Sequence, residues 1–176
     1  MTHITNGCKL LAAREYTDRH NLSAKIIHQA LANKHQLSTD NAPYYQYTPQ
    51  TVLENTEYKL YWDQTIYTDK TIIANRPDIV LMNKRERTTY LIDIAIPSDT
   101  NIQQKYNEKI QKYTDLAIEI QRIWNQQKVQ IIPLIVSATG ITPSSFTQNL
   151  TTLDLPHTLH KNFQKSVIIK TAHGLT

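Results

Sequence analysis

Apolar positions recur at helical spacing between Tyr16 and Lys34, where Leu22, Ile26, Ile27, Ala30 and Leu31 fall on one stripe. This predicts an amphipathic helix, with Thr17 or Asp18 as its cap. A polar stretch from Gln36 to Gln50, carrying Pro43 and Pro49, then reads as a connecting loop. Strand patterns follow at Glu57–Trp62, as a less distinct pair within Thr65–Ala74, and at Asp78–Met82 and Thr88–Ile96. The last two strands are joined by the charged turn Asn83 to Arg87, so an antiparallel meander is expected. The clearest helix runs from Asn101 to about Gln126, with Ile102, Tyr106, Ile110, Tyr113, Ala117, Ile120 and Trp124 on one stripe. Val129–Ser137 is almost wholly apolar and reads as a strand buried on both faces, parallel to its neighbour after the crossover helix. Two helical stretches close the chain, Pro143–Leu153 with Thr142 as its cap, and His157–His173. The expected architecture is a single α/β domain with a central mixed sheet flanked by helices.

Composition narrows the chemistry. The chain has 176 residues, which suits one hydrophobic core and leaves little for a second. The three glycines are scattered, so no Gly-rich loop cradles a nucleotide phosphate. One cysteine, Cys8, permits neither an internal disulfide nor a cysteine-rich zinc site, and it has no neighbouring base to make it a nucleophile. No segment reaches the length of a bilayer span, and the polar start lacks a signal-peptide core, so a soluble intracellular protein with no membrane partner is expected. The net charge of +4 suits an anionic partner without requiring one.

Two aspartates stand out because they interrupt the most apolar part of the meander. Asp78 precedes Ile79-Val80, and Asp93 sits inside Tyr90-Leu91-Ile92-Asp93-Ile94-Ala95-Ile96. A carboxylate in such a strand is costly unless it is paired. Fifteen residues apart across a tight turn, the two can lie side by side near one sheet end, where they repel unless a divalent cation bridges them. A hard cation held by two carboxylates is a standard apparatus for phosphodiester hydrolysis. Lys105, Lys109 and Lys112 border the apolar stripe of the long helix and can supply the cationic charge that such a reaction needs, Lys109 and Lys112 being best placed. Arg76, Lys84, Arg85 and Arg87 are candidate phosphate contacts, against the plain alternative of a solvated hairpin tip. For the aspartates the plain alternative is a turn-side acceptor and a strand-end carboxylate. Asp63 and Asp69 read as turn residues, and Tyr44, Tyr45 and Tyr47 as packing rather than base-stacking groups.

The pattern Pro77-Asp78, then Asp93-x-Ala95, then Glu108-Lys109-x-x-Lys112-Tyr113 resembles the PD-(D/E)xK nuclease superfamily. The segments ANRPDIVLMNKRERTTYLIDIAIPSD, EKIQKYTDLAIEIQ and IIPLIVSATG are more specifically similar to the C-terminal restriction-like endonuclease of site-specific non-LTR retrotransposons, over about His3 to His173. The resemblance implies a restriction-endonuclease-like αβββαβ core with two extra C-terminal helices. It further implies Mg²⁺ or Mn²⁺ held by Asp78 and Asp93, with Lys109 or Lys112 as the catalytic lysine. In such nucleases a lysine often stands two residues after the second acid, where this chain has Ala95, whose small side chain leaves room for an ammonium from the helix. Related nucleases place an extra polar group near the metal from the first helix, a position matched by His20. The implied partners are target DNA and the element's RNA, the implied compartment is the nucleus, and the nick provides a 3′ hydroxyl for reverse transcription. Residues 1–15 resemble the end of a zinc knuckle, with His3 and Cys8 as its last two ligands, leaving 16–176 as the nuclease domain. The alternative is a nucleic-acid-binding remnant that has lost catalysis.

Overall fold

The structure, a computed structural model, describes the backbone of residues 2–174 and the side chains of residues 7–168 apart from residue 99. The side chains of His3 and His173 lie outside the described residues. In chain order the elements are α1 (Thr2–Lys34), β1 (Val52–Glu54), β2 (Tyr58–Trp62), β3 (Ile79–Asn83), β4 (Thr88–Ala95), a 3₁₀ turn (Asp99–Asn101), α2 (Ile102–Ile123), β5 (Lys128–Ile135), α3 (Ser144–Thr152) and α4 (Leu159–Gly174). They form an α/β architecture, a five-stranded mixed sheet in the order β1-β2-β3-β4-β5 flanked by the four helices. The first four strands are antiparallel, and β5 runs parallel to β4 because α2 carries the chain back across the sheet.

Alternation along β3 and β4 divides the core into two layers. Ile79, Leu81, Ile92 and Ile94 face α1, α3 and α4 with Ile27, Leu31, Phe146 and Phe163. Val80 and Leu91 face α2 with Tyr113, Leu116 and Ile120. Asp93 follows Leu91 by two residues, so β-strand parity points it to the α2 side. Asp78, two before Val80, shares that parity, and the pairs Ile79↔Ile92 and Val80↔Leu91 bring the two aspartates opposite each other at the end of the hairpin.

Several expectations are corrected. The first helix begins at Thr2 rather than Tyr16, so Thr17 and Asp18 are interior residues; the Thr17 hydroxyl donates to the Ala13 carbonyl at 3.0 Å instead of capping. Helix stripes locate buried faces, and among the described residues 7–18 of α1 no side chain is buried: Leu10 and Leu11 are exposed. Residues 65–74 form no strands. Side-chain anchors fasten this segment instead, with buried Ile66, an Arg122–Asp69 pair at 2.9 Å and a Lys70–Glu119 pair at 3.3 Å. The short edge strand β1 lay hidden after the expected loop because its three residues carry too little pattern. β5 is buried only over its second half and forms an edge, where Pro133 needs no ladder donor. Pro143, not Thr142, occupies the N-cap of α3. No described helix is long and apolar enough to cross a membrane.

Candidate functional site

The cleft lies where the C-terminal ends of β4 and β5 meet the start of β3, beside the N-terminal half of α2. Parallel strands joined through a crossover helix leave a crevice at their carboxyl ends, because the connecting backbone must depart from the sheet there. A cavity of about 280 Å³ opens at this point, bordered by Asp78, Asp93, His20, Arg76, Lys109 and Lys112.

A set of hydrogen bonds and ion pairs surrounds the two aspartates. The backbone N–H of Asp78 donates to Oδ1 of Asp93 at 3.2 Å, and that of Ile94 donates to Oδ2 of Asp78 at 2.8 Å. These crossed bonds extend the hairpin one residue past β3 and hold the carboxylates face to face. The Tyr113 hydroxyl donates to Oδ1 of Asp93 at 3.2 Å, and the Lys109 ammonium lies 2.6 Å from Oδ2. From α1, Nε2 of His20 lies 2.9 Å from Oδ2 of Asp78.

Burial and mutual repulsion separate the acids electrostatically. Asp93 is only 3% exposed; burial first, then the Asp78 carboxylate, push its pKa up to about 6 against the opposing pull of Lys109. For Asp78 burial also acts upward, but the His20 ring and the Ile94 N–H outweigh it and hold the carboxyl below its ordinary value. Reciprocally, burial would lower both His20 and Lys109, and their carboxylate partners raise them. Each acid thus faces one basic group, Asp78 the His20 ring and Asp93 the Lys109 ammonium.

The other residues proposed from sequence divide into those at the cleft and those away from it. Lys112 is exposed at its rim, with its ammonium 5.1 Å from the Tyr113 ring centroid. Arg76 borders the cleft but grips Asp63 through two bonds of 2.9 and 3.0 Å. Lys105 pairs with Glu108 at 3.3 Å and borders a neighbouring cavity. Lys84 and Arg85 sit in the β3–β4 turn, at the opposite end of the sheet, and are not brought to the site. Lys84 is occupied there by Glu54 at 2.9 Å and by the Asn55 carbonyl at 2.8 Å. Tyr47 is buried on His28, 2.7 Å from its Nδ1, whereas Tyr45 is exposed. Cys8 is exposed on α1, and residues 2–15 continue the same helix as His20.

Two participants had not been singled out. Tyr113 stood in the apolar stripe and at the end of the Glu108-Lys109-x-x-Lys112-Tyr113 pattern with no role assigned, and Tyr16 only marked the start of a helix. Each stands four residues from a candidate, Lys109 or His20, and therefore on the same helix face, which is the signal that finds them. The Tyr16 ring stacks on His20 with centroids 6.4 Å apart.

Neither a protein-family model nor a curated protein matches this chain. Among the described residues no group of three or more His, Cys, Asp and Glu side chains is arranged to hold a metal ion. The donor chemistry nevertheless fits a hard cation: two carboxylates from adjacent strands face each other, and burial plus repulsion makes their joint ionisation unfavourable without positive charge.

Proposed function

We propose that the chain is a metal-dependent DNA endonuclease of the restriction-like type found in site-specific non-LTR retrotransposons. The observation that carries the reading is the meeting of Asp78, Asp93 and Lys109 at one sheet end, from two strands and a helix, in a cleft open to solvent. Its support includes the order α1-β2-β3-β4-α2-β5, which matches the αβββαβ core with β1 as an added edge. The lysine that the motif would carry at Ala95 is replaced by one reaching the same carboxylate from α2.

In this reading Asp78 and Asp93 hold Mg²⁺ or Mn²⁺, with His20 orienting Asp78. When bound, the cation supplies Lewis-acid polarisation of the phosphoryl oxygens and lowers the pKa of water. Lys109, released from Asp93, neutralises charge that develops on the phosphate, and Lys112 attracts the backbone from the rim. Hydrolysis joins a water oxygen to phosphorus and breaks the P–O3′ bond. A proton ends on the departing 3′ oxygen, leaving the hydroxyl that primes reverse transcription. Target DNA and element RNA are then the partners and the nucleus the place of action. The sequence-independent contacts around the cleft, Arg76, Lys109 and Lys112, recognise phosphate charge and carry no base code.

The second reading, a binding remnant without catalysis, is favoured by one feature: His20 and Lys109 already engage both acids. Incubating the purified chain with supercoiled plasmid and Mn²⁺ separates the two. The nuclease reading expects nicks that disappear in Asp78→Ala and Asp93→Ala proteins that remain folded. Activity unchanged in Asp93→Ala refutes it, and DNA binding without Mn²⁺ binding or nicking supports the remnant.

A further inference from the structure

Beside the acidic cleft lies a second cavity, of about 370 Å³, with a different chemistry. Ile96 and Pro97 are buried and form its floor, and Tyr16, 41% exposed, belongs to the walls of both cavities. Ser98, Asn101 and Gln104 add hydroxyl and amide groups to the lining. The Asn101 amide donates to the Ser98 hydroxyl at 3.2 Å, and the Gln104 amide donates to Glu108 at 3.3 Å. The charges at its mouth, Lys105 and Glu108, cancel each other.

We infer that this cavity is a nucleobase subsite, receiving one unstacked base of the DNA strand whose phosphate lies in the acidic cleft, with Tyr16 as its stacking wall and Asn101 and Gln104 as hydrogen-bonding edges. The inference rests on the proposed reading of the neighbouring cleft as a phosphate site. The contrast between the cavities carries it. The cleft gathers Asp78 and Asp93 with Arg76, Lys109 and Lys112, a strongly charged lining that in the proposed reading takes a metal-borne phosphate, whereas its neighbour combines apolar surfaces with neutral amides and one self-cancelling ion pair. A flat heterocycle with donors and acceptors on its rim matches that combination, because aromatic stacking satisfies its faces and amides satisfy its edge. The spacing matches too. Ile94 in β4 borders the cleft and Ile96, one residue past the end of β4, borders the subsite; two residues of chain span at most about 7 Å, within the reach of a single nucleotide. Tyr16 stands on the boundary, its ring lying roughly parallel to that of His20 with centroids 6.4 Å apart, where a base would leave the backbone.

NMR titration of the full chain with each deoxynucleoside 5′-monophosphate, and separately with inorganic phosphate, tests this without requiring turnover. The nucleotides should saturably shift the Asn101 and Gln104 side-chain amides and the Tyr16 ring, while inorganic phosphate shifts only Lys109 and Lys112. Tyr16→Ala should weaken the nucleotide response at least fivefold. Gln104→Ala, at an exposed position, should alter the ranking of the four bases. Nucleotide shifts no different from those caused by inorganic phosphate would overturn the subsite. Should nucleotides shift these groups in a protein that never nicks DNA, the nuclease reading falls and the base subsite stands.

Discussion

Nζ of Lys109 lies 2.6 Å from Oδ2 of Asp93, although the two come from different elements, α2 and β4, and the position two residues after Asp93 is the small Ala95. Asp93 is buried and Lys109 partly so, and Tyr113, one helical turn beyond Lys109, donates to the other carboxylate oxygen. A helix thus supplies to a buried strand carboxylate both a countercharge and a hydrogen bond.

Lys109 is therefore expected to dominate Lys112 in catalysis. Lys109→Ala should lower plasmid nicking by at least about 10²-fold, the scale of losing one preorganised charge donor. Lys112→Ala, removing an exposed rim charge, should cost no more than about tenfold and should act chiefly on DNA affinity. Rates measured under single-turnover conditions decide this, and an unaltered Lys109→Ala rate would assign the role elsewhere.

Nicking should rise with pH through the Asp93 transition near 6, because the protonated carboxyl cannot ligate a cation. Stability runs the other way. A folded-state value above the ordinary 3.8 means that the native protein holds this proton more tightly than the unfolded chain. Asp93 consequently disfavours folding increasingly from pH 3.8 through about 6, by roughly 3 kcal/mol at the upper limit. Denaturant titrations across that range should show the decline in the native chain and a smaller one in Asp93→Asn.

His28 has the opposite effect. It is fully buried on α1, its Nε2 has no hydrogen-bond partner, and burial lowers its pKa to about 4. The unfolded chain takes up this proton near 6.5 and the native state only near 4, so the His28 contribution to stability is lost as pH falls through that window, by roughly 3 kcal/mol at the limit. The His28 ring resonances should remain those of the neutral imidazole down to pH 5; a midpoint near 6.5 would contradict the buried neutral state.

Salt dependence should separate the two ends of the sheet. Removing Lys112 should reduce the slope of log affinity for DNA against log salt by about 1, as expected for one lost phosphate contact. Lys84→Ala and Arg85→Ala should leave both the slope and the nicking rate within about twofold, because the β3–β4 turn lies across the sheet from the cleft and Lys84 is held by Glu54. Equal slopes for all three variants would move the DNA path.

The sequence alone determined the layers and the acidic pair. Alternation in β3 and β4, the long stripe of α2 and the apolar run of β5 each reflect burial repeated every two or four residues, so one-dimensional pattern carries them. Asp78 and Asp93 were conspicuous for the same reason, as charges where the pattern demands apolar side chains. Tertiary structure decided what pattern cannot encode. It extended α1 to Thr2 although residues 7–18 bury no side chain, left residues 65–74 without strands, anchored by side-chain pairs to α2, and placed Lys84 and Arg85 away from the cleft while bringing Lys109, Tyr113 and His20 into it. Exposed lysines look alike along a chain, since solvation gives each the same local environment. Which of them meets a carboxylate depends on how helices pack against a sheet, and that is fixed by long-range burial.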